Sequence, residues 1–155
     1  MTDAKTLLLD LLAVIPDGDK SAAFFAEGGV MELPFLHALG VPNRHQGHAA
    51  IRDFYNYVGE TLYPDFRVEP GDAKVLIDTP DQVFAEYMVH TRAAITGRRV
   101  HLLFTGLLTA EKGKIKLLRE SINTVANAQA LNPNGAADVP APKGEIFSVP
   151  PDYVS

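Results

Sequence analysis

The chain contains no cysteine. That absence excludes disulfides, thiol nucleophiles and cysteine-ligated metals, and it fits a cytoplasmic setting. No block of basic residues is present, and 14 Lys+Arg against 19 Asp+Glu leave a formal net charge of −5. Nucleic acid and anionic membranes are therefore poor partners. No apolar run is long enough to cross a bilayer. Asp10 interrupts Leu7-Leu8-Leu9-Asp10-Leu11-Leu12, and no small-residue cleavage site follows, so no signal peptide is expected. The chain has no internal repeat, P-loop, dinucleotide fingerprint, nucleophile elbow or Ser-His-Asp order. No cofactor and no metal are expected. His45 and His48, with His37 nearby, are the one metal-like cluster, and no carboxylate is spaced to join them, so they read as surface histidines.

What is there suits one domain with a real core: 155 residues, 46% hydrophobic and 21% charged. Residues 4–14 read as an amphipathic helix capped by Thr2 or Asp3. Asp19 caps a short second helix through Phe25, ended by Gly28-Gly29. Residues 30–35 form a short strand. A third helix over 48–58 carries Ile51, Phe54, Tyr55 and Val58 at helical spacing. Strands follow over 66–68 and 74–77, joined across a bulge at Pro70-Gly71. Then come a long strand over 82–94, a hairpin at Thr96-Gly97 and its partner over 98–109. A last strand starts at Lys114, after the hairpin tip Glu111-Lys112-Gly113. Helices first and antiparallel strands afterwards predict an α+β fold. The domain is expected over residues 1–127. Residues 128–155 form a Pro/Gly/Ala-rich extension, extended on its own, with Ile146, Phe147 and Tyr153 as candidate docking residues.

Strand alternation assigns the faces. Val83, Ala85, Tyr87, Val89 and Thr91 share one side, as do Val100, Leu102, Phe104, Gly106 and Leu108; these cleaner sets should face the helices. Glu86, His90 and His101 face outward with Phe84, Met88, Leu103 and Leu107. An outer face that apolar meets a partner, so a homodimer through it is expected.

In the last strand, alternation places Lys116, Leu118, Glu120 and Ile122 on one side. Glu120 thus sits in an apolar stripe. A carboxyl there costs free energy unless it is paired, hydrogen-bonded or protonated. Glu120 either caps the strand end or pairs with an arginine, or it marks chemistry.

The element order and several local patterns resemble the SnoaL-like branch of the nuclear-transport-factor-2-like (NTF2-like) superfamily, over roughly residues 4–125. The patterns are Phe24-Phe25-Ala26-Glu27-Gly28, then Val30-Met31-Glu32-Leu33-Pro34-Phe35, then Gly47 opening a helix at Ala49-Ala50-Ile51. Thr96-Gly97-Arg98 and Gly113-Lys114-Ile115 followed by Arg119-Glu120 complete them. The resemblance implies a cone, with helices closing the mouth of a strongly curved sheet, a pocket inside and a dimer through the sheet. The chain is also similar to the limonene-epoxide hydrolases at Thr96-Gly97-Arg98 and Arg119-Glu120. Four of the five polar groups of those enzymes are replaced here, by Tyr87, Val89, Met31 and Leu33, which argues against that mechanism. Residues 114–123, with Tyr63-Pro64-Asp65, resemble the phenazine-biosynthesis A/B proteins, whose proton-carrying glutamate falls at Glu120. Their arginine falls where this chain has Ala22 and Ala23.

Within such a cone, desolvation would raise the pKa of Glu120 toward the working range of a general acid or base. Tyr87 would reach the same pocket and polarise a substrate oxygen. Met31, Leu33, Phe35, Val89, Leu102, Phe104, Leu118 and Ile122 would wall it and select a small hydrophobic molecule. The expected activity is acid–base chemistry on a hydrophobic carbonyl compound, as in an isomerase, cyclase or dehydratase. The alternatives are a non-catalytic ligand-binding module, in which Tyr87 bonds Glu120 purely structurally, and a pocket plugged by side chains or tail.

Overall fold

Asp3 accepts a hydrogen bond from the Thr6 amide at 2.7 Å and starts helix α1, Ala4–Leu12. Leu7, Leu8, Leu11 and Leu12 of α1 are all buried, the stripe expected of a helix laid on a sheet. Asp17 caps α2, Gly18–Ala22, in the same way. The structure, a computed structural model, describes residues 1–153. None of its described helices is long and apolar enough to cross a membrane.

The second helix is shorter than the sequence implies, and strand β1, Phe25–Glu32, begins where that helix was expected to continue. The Gly28-Gly29 pair is the reason. It reads as a helix stop, yet it lies inside a strand whose pairing with the last strand slips between Phe25 and Val30. A Cβ on Gly29 would stand 2.8 Å from the Ile115 carbonyl oxygen, so only glycine lets the two backbones approach there. Strand β1 ends before Pro34, which opens a 3-10 helix, Pro34–Leu39. A short strand β2, Arg44–Gln46, then pairs back on β1. Helix α3, His48–Tyr57, runs on into a π-helical turn, Val58–Leu62.

Four long strands complete the sheet: β3, Arg67–Asp78; β4, Gln82–Arg92; β5, Arg99–Glu111; and β6, Lys114–Ile122. The order is β2-β1-β6-β5-β4-β3, with β1 and β6 parallel and every other pair antiparallel. The bulge expected at Pro70-Gly71 is present as a register shift between Val68 and Ala73, and the two stretches it joins form one continuous strand. The result is a helix-covered curved sheet, the α+β architecture expected from the element order. Its inner face carries Val83, Ala85, Tyr87, Val89, Leu102, Phe104 and Leu108, all buried as alternation requires. On β6 alternation fails at one place. The pairing with β5 shifts between Thr109 and Ala110, so Ile115 turns inward and Lys116 is exposed, off the face it was assigned to.

Helix α4, Thr124–Leu131, crosses the boundary expected after Asn127. Asn123 caps it, accepting from the Ala126 amide. The Thr96-Gly97-Arg98 hairpin holds its other end. Thr96 donates to the Ala130 carbonyl. Arg98 donates to the carbonyls of Gln129 (2.7 Å), Asn132 (2.8 Å) and Pro133 (2.8 Å). A helix C-terminus leaves its last carbonyls unpaired, and a guanidinium fork suits them. Farther on, the Arg119 guanidinium lies over the Tyr153 ring at 4.7 Å, whereas Ile146 and Phe147 stay exposed. The clamp is testable. Arg98→Met should speed amide exchange of α4 about tenfold, from losing net hydrogen bonds worth ~1–2 kcal/mol. Unchanged exchange in α4 would show that Arg98 is a spectator.

Candidate functional site

Register on β4, β5 and β6 builds the site. Glu120 lies opposite Gly106, and Gly106 lies opposite Ala85 on β4, two residues from Tyr87. All point to the inner face. Gly106 makes room: a Cβ there would stand 2.5 Å from the Tyr87 hydroxyl. The phenol ring therefore leans over β5, stacks on Phe104 at 5.8 Å between centroids, and donates its O–H to Glu120 Oε1.

Glu120 is 5% exposed and Tyr87 1%. Among the described residues, no Lys, Arg or His forms an ion pair with Glu120, so neither the expected arginine partner nor a strand-end cap accounts for it. Its neighbour Arg119 faces the other side of β6 and bonds Glu32 at 2.8 Å, and Arg44 also binds Glu32. Burial raises the Glu120 pKa from 4.5 to about 7, with the Tyr87 hydrogen bond acting in the opposite direction. Burial, and next the Glu120 charge, push the Tyr87 hydroxyl well above the ordinary phenol value. The same two causes act on Tyr55 of α3. Tyr55 is thus a second phenol near the carboxyl, and its hydroxyl has no hydrogen-bond partner among the described residues.

Above Glu120 is a cavity of about 70 Å³. Of the residues expected to wall it, Met31, Leu33, Val89, Leu102, Phe104 and Ile122 do so, together with Tyr87 and Glu120. Leu118 is fully buried in the core and does not reach the cavity. Phe35 is 40% exposed, because it sits on the 3-10 helix rather than on a strand. The sequence reading did not find Tyr55, Tyr63 or Asn127 as cavity residues. Tyr55 was hidden by its helical spacing, which also suits plain core packing. Tyr63 donates to Asn127 Oδ1, a contact across 64 residues that no local pattern records. A second, wider chamber of about 300 Å³ adjoins the first; Leu36, Phe54, Leu62 and Asn127 line both. The extension walls this outer chamber with Asp138, Val139 and Pro140 and leaves it hollow. His45 also lines it and is not a surface histidine, while the His48 ring bonds the Phe25 carbonyl at 2.8 Å. Glu86, His90 and His101 lie on the outer face as expected, with His90 Nε2 2.6 Å from Asp72 and its Nδ1 2.7 Å from His101 Nδ1.

The site is thus one acid without an ion pair among the described residues, on the inner face of a helix-covered sheet. The chain belongs to the SnoaL-like domain family, whose model matches residues 15–118. No curated protein matches it by sequence. Its fold is similar to that of a phenazine biosynthesis-related protein from Pseudomonas aeruginosa, at 20% identity and a TM-score of 0.70, covering 95% of this chain and 92% of that one. It is also similar to a candidate polyketide cyclase from Xanthomonas campestris pv. campestris, at 23% identity and a TM-score of 0.65, covering 78% and 90%. A third is TerC, co-crystallized with polyporic acid, at 19% identity and a TM-score of 0.68, covering 82% and 96%.

The raised pKa has a consequence for stability. Between pH 4.5 and about 7 the folded protein keeps a proton on Glu120 that the unfolded chain has released. The folded state binds more protons there, so stability falls as pH rises through this window and levels off above it. The loss is roughly 3 kcal/mol for this group. Urea midpoints at pH 5 and pH 8 should therefore converge in Glu120→Gln relative to the parent. An identical pH dependence in both would mean that Glu120 ionises normally in the fold.

Proposed function

We propose that the protein transfers protons next to the carbonyl group of a hydrophobic small molecule, using its own side chains, in an isomerase-, cyclase- or dehydratase-type reaction. The observation that carries this is a buried carboxyl with no counter-ion among the described residues, facing a cavity otherwise lined by apolar groups, phenols and the Asn127 carboxamide. Such a carboxyl would ionise near neutral pH, where a base is most effective.

In the reaction, the Glu120 carboxylate takes a proton from the carbon beside the carbonyl. The C–H electron pair becomes the C=C bond of an enolate, and the carbonyl oxygen takes the charge. Once protonated, Glu120 no longer needs the Tyr87 proton and can donate to the phenol oxygen instead. The Tyr87 O–H is then free for the enolate oxygen, with Tyr55 as a second donor. Returning the proton to another carbon completes an isomerisation. Attack of the enolate on a second carbonyl gives a ring, the new alkoxide taking the proton held by Glu120; loss of a β-hydroxyl, which takes that proton and leaves as water, gives a dehydration. The dry walls protect the enolate from solvent protons. The polyketide cyclase-like neighbour supports the same substrate type.

Benzylacetone in D2O gives a direct assay, since exchange of the protons beside its carbonyl is visible by NMR. The parent protein should accelerate that exchange, with a rate that falls below about pH 7. Glu120→Gln should slow it about 100-fold or more, and Tyr87→Phe should slow it by a comparable factor. Equal rates in parent and Glu120→Gln would remove the acid–base assignment. Binding of the ketone by both proteins with exchange in neither would establish a ligand-binding module instead.

The outer face of the sheet supports a second inference, a homodimer. Leu103 is 47% exposed there, beside half-buried Met88 and Leu107, an apolar surface suited to self-association. Sedimentation should report a dimer for the parent and a monomer for Leu103→Glu; a monomeric parent would remove the assignment.

A further inference from the structure

His45 brings to the outer chamber a buried ring nitrogen with no hydrogen-bond partner among the described residues. Strand β2 pairs with β1 so that His45 stands directly opposite Met31. Directly opposed residues share a face, and Met31 faces the inner cavity. His45 is therefore turned into the mouth of the cone. Its ring rests on Phe54 at 4.3 Å between centroids, and Phe54 lines both chambers. His45 Nε2 is buried without a hydrogen-bond partner. A buried ring nitrogen left unpaired costs free energy that a ligand group could recover. Burial also lowers the His45 pKa, which keeps the ring neutral at pH 7. Asn127 stands at the junction of the chambers. Its carbonyl oxygen is held by Tyr63, which leaves its amide N–H groups for a guest.

We propose that His45 is a specificity residue that binds a hydroxyl at the far end of the substrate, so that the substrate is a hydroxylated ring carried in the outer chamber with a carbonyl-bearing arm reaching inward. The proposal rests on the carbonyl reading of the inner cavity. The volumes divide the molecule this way: about 70 Å³ beside Glu120 takes an acyl arm, and about 300 Å³ outside takes a ring. A hydroxyl is the group that fits. It both donates and accepts, so it satisfies Nε2 in either neutral tautomer, whereas a bare carbonyl satisfies only one. Leu36, Leu39, Phe54 and Leu62 supply flat apolar contact for the ring.

Two ligands that differ by this hydroxyl make the test. They are benzylacetone and its para-hydroxy derivative, titrated into the full chain by calorimetry. The parent should bind the hydroxylated compound about tenfold more tightly, the worth of one hydrogen bond to a buried group. His45→Phe, which keeps an aromatic ring against Phe54, should bring the two affinities together. If that variant folds poorly, the parent alone still answers. Its imidazole 15N resonances should move with the hydroxylated compound and stay in place with benzylacetone. Equal affinities in the parent, discrimination that survives in His45→Phe, unmoved imidazole resonances, or no saturable binding of either compound would each overturn the assignment. The readout is binding without turnover, so it separates from the catalytic reading. Discrimination through His45 with no proton exchange would remove the catalysis and leave this subsite. Exchange without discrimination would do the reverse.

Discussion

A carboxyl group without a cation, held against a single phenol at the closed end of an apolar cone, sets the conditions for the rest of the molecule. Glu120 sits on the inner face of β6, where no side chain among the described residues forms an ion pair with it. Three strands cooperate to hold it there. β6 supplies the acid, β4 supplies Tyr87, and β5 supplies the missing side chain at Gly106 through which the phenol reaches across. The carboxyl meets its electrostatic cost by holding its proton to about pH 7. The property that burdens the fold at high pH is the one on which the proposed proton transfer rests.

The same strand shows the opposite solution one residue earlier. Arg119 faces outward, opposite Glu32 in the parallel pairing of β1 with β6. There Glu32, also buried, is flanked by Arg44 and Arg119. One buried acid is neutralised by two guanidinium groups, and the other is left with a hydrogen bond alone. Strand geometry keeps them apart, because neighbouring residues point to opposite faces. Arg119, committed to Glu32 and stacked on Tyr153, is not available to quench Glu120.

The mouth of the cone is assembled from distant parts of the chain. Helix α3 and the π-helical turn bring Phe54, Tyr55 and Leu62, and the 3-10 helix brings Leu36. Helix α4 adds Asn127, held in place by Tyr63 on one side and by the Arg98 clamp at its C-terminus. The motif Thr96-Gly97-Arg98 therefore acts as a strut for a wall of the pocket, not as a reacting group. The tail after α4 narrows the outer chamber without filling it.

Sequence alone determined what depends on short-range periodicity. The two-residue repeat of β4 and β5 separated the inner from the outer face, which placed Tyr87 inside and His90 and His101 outside. The acid in an apolar stripe singled out Glu120, and the element order with its local patterns pointed to the α+β cone. Tertiary structure alone decided what depends on contacts between segments far apart in the chain. A glycine pair that terminates a helix and one that permits a bulge look the same until β6 lies against β1, which hides the start of β1, and Phe35 leaves the strand because Pro34 opens a 3-10 helix there. Tyr55 and His45 look like a core residue and a surface residue until α3 and β2 turn them toward one hollow. The partner of Asn127 lies 64 residues away, and burial, which sets the ionisation of Glu120, exists only once the sheet and the helices that cover it have come together.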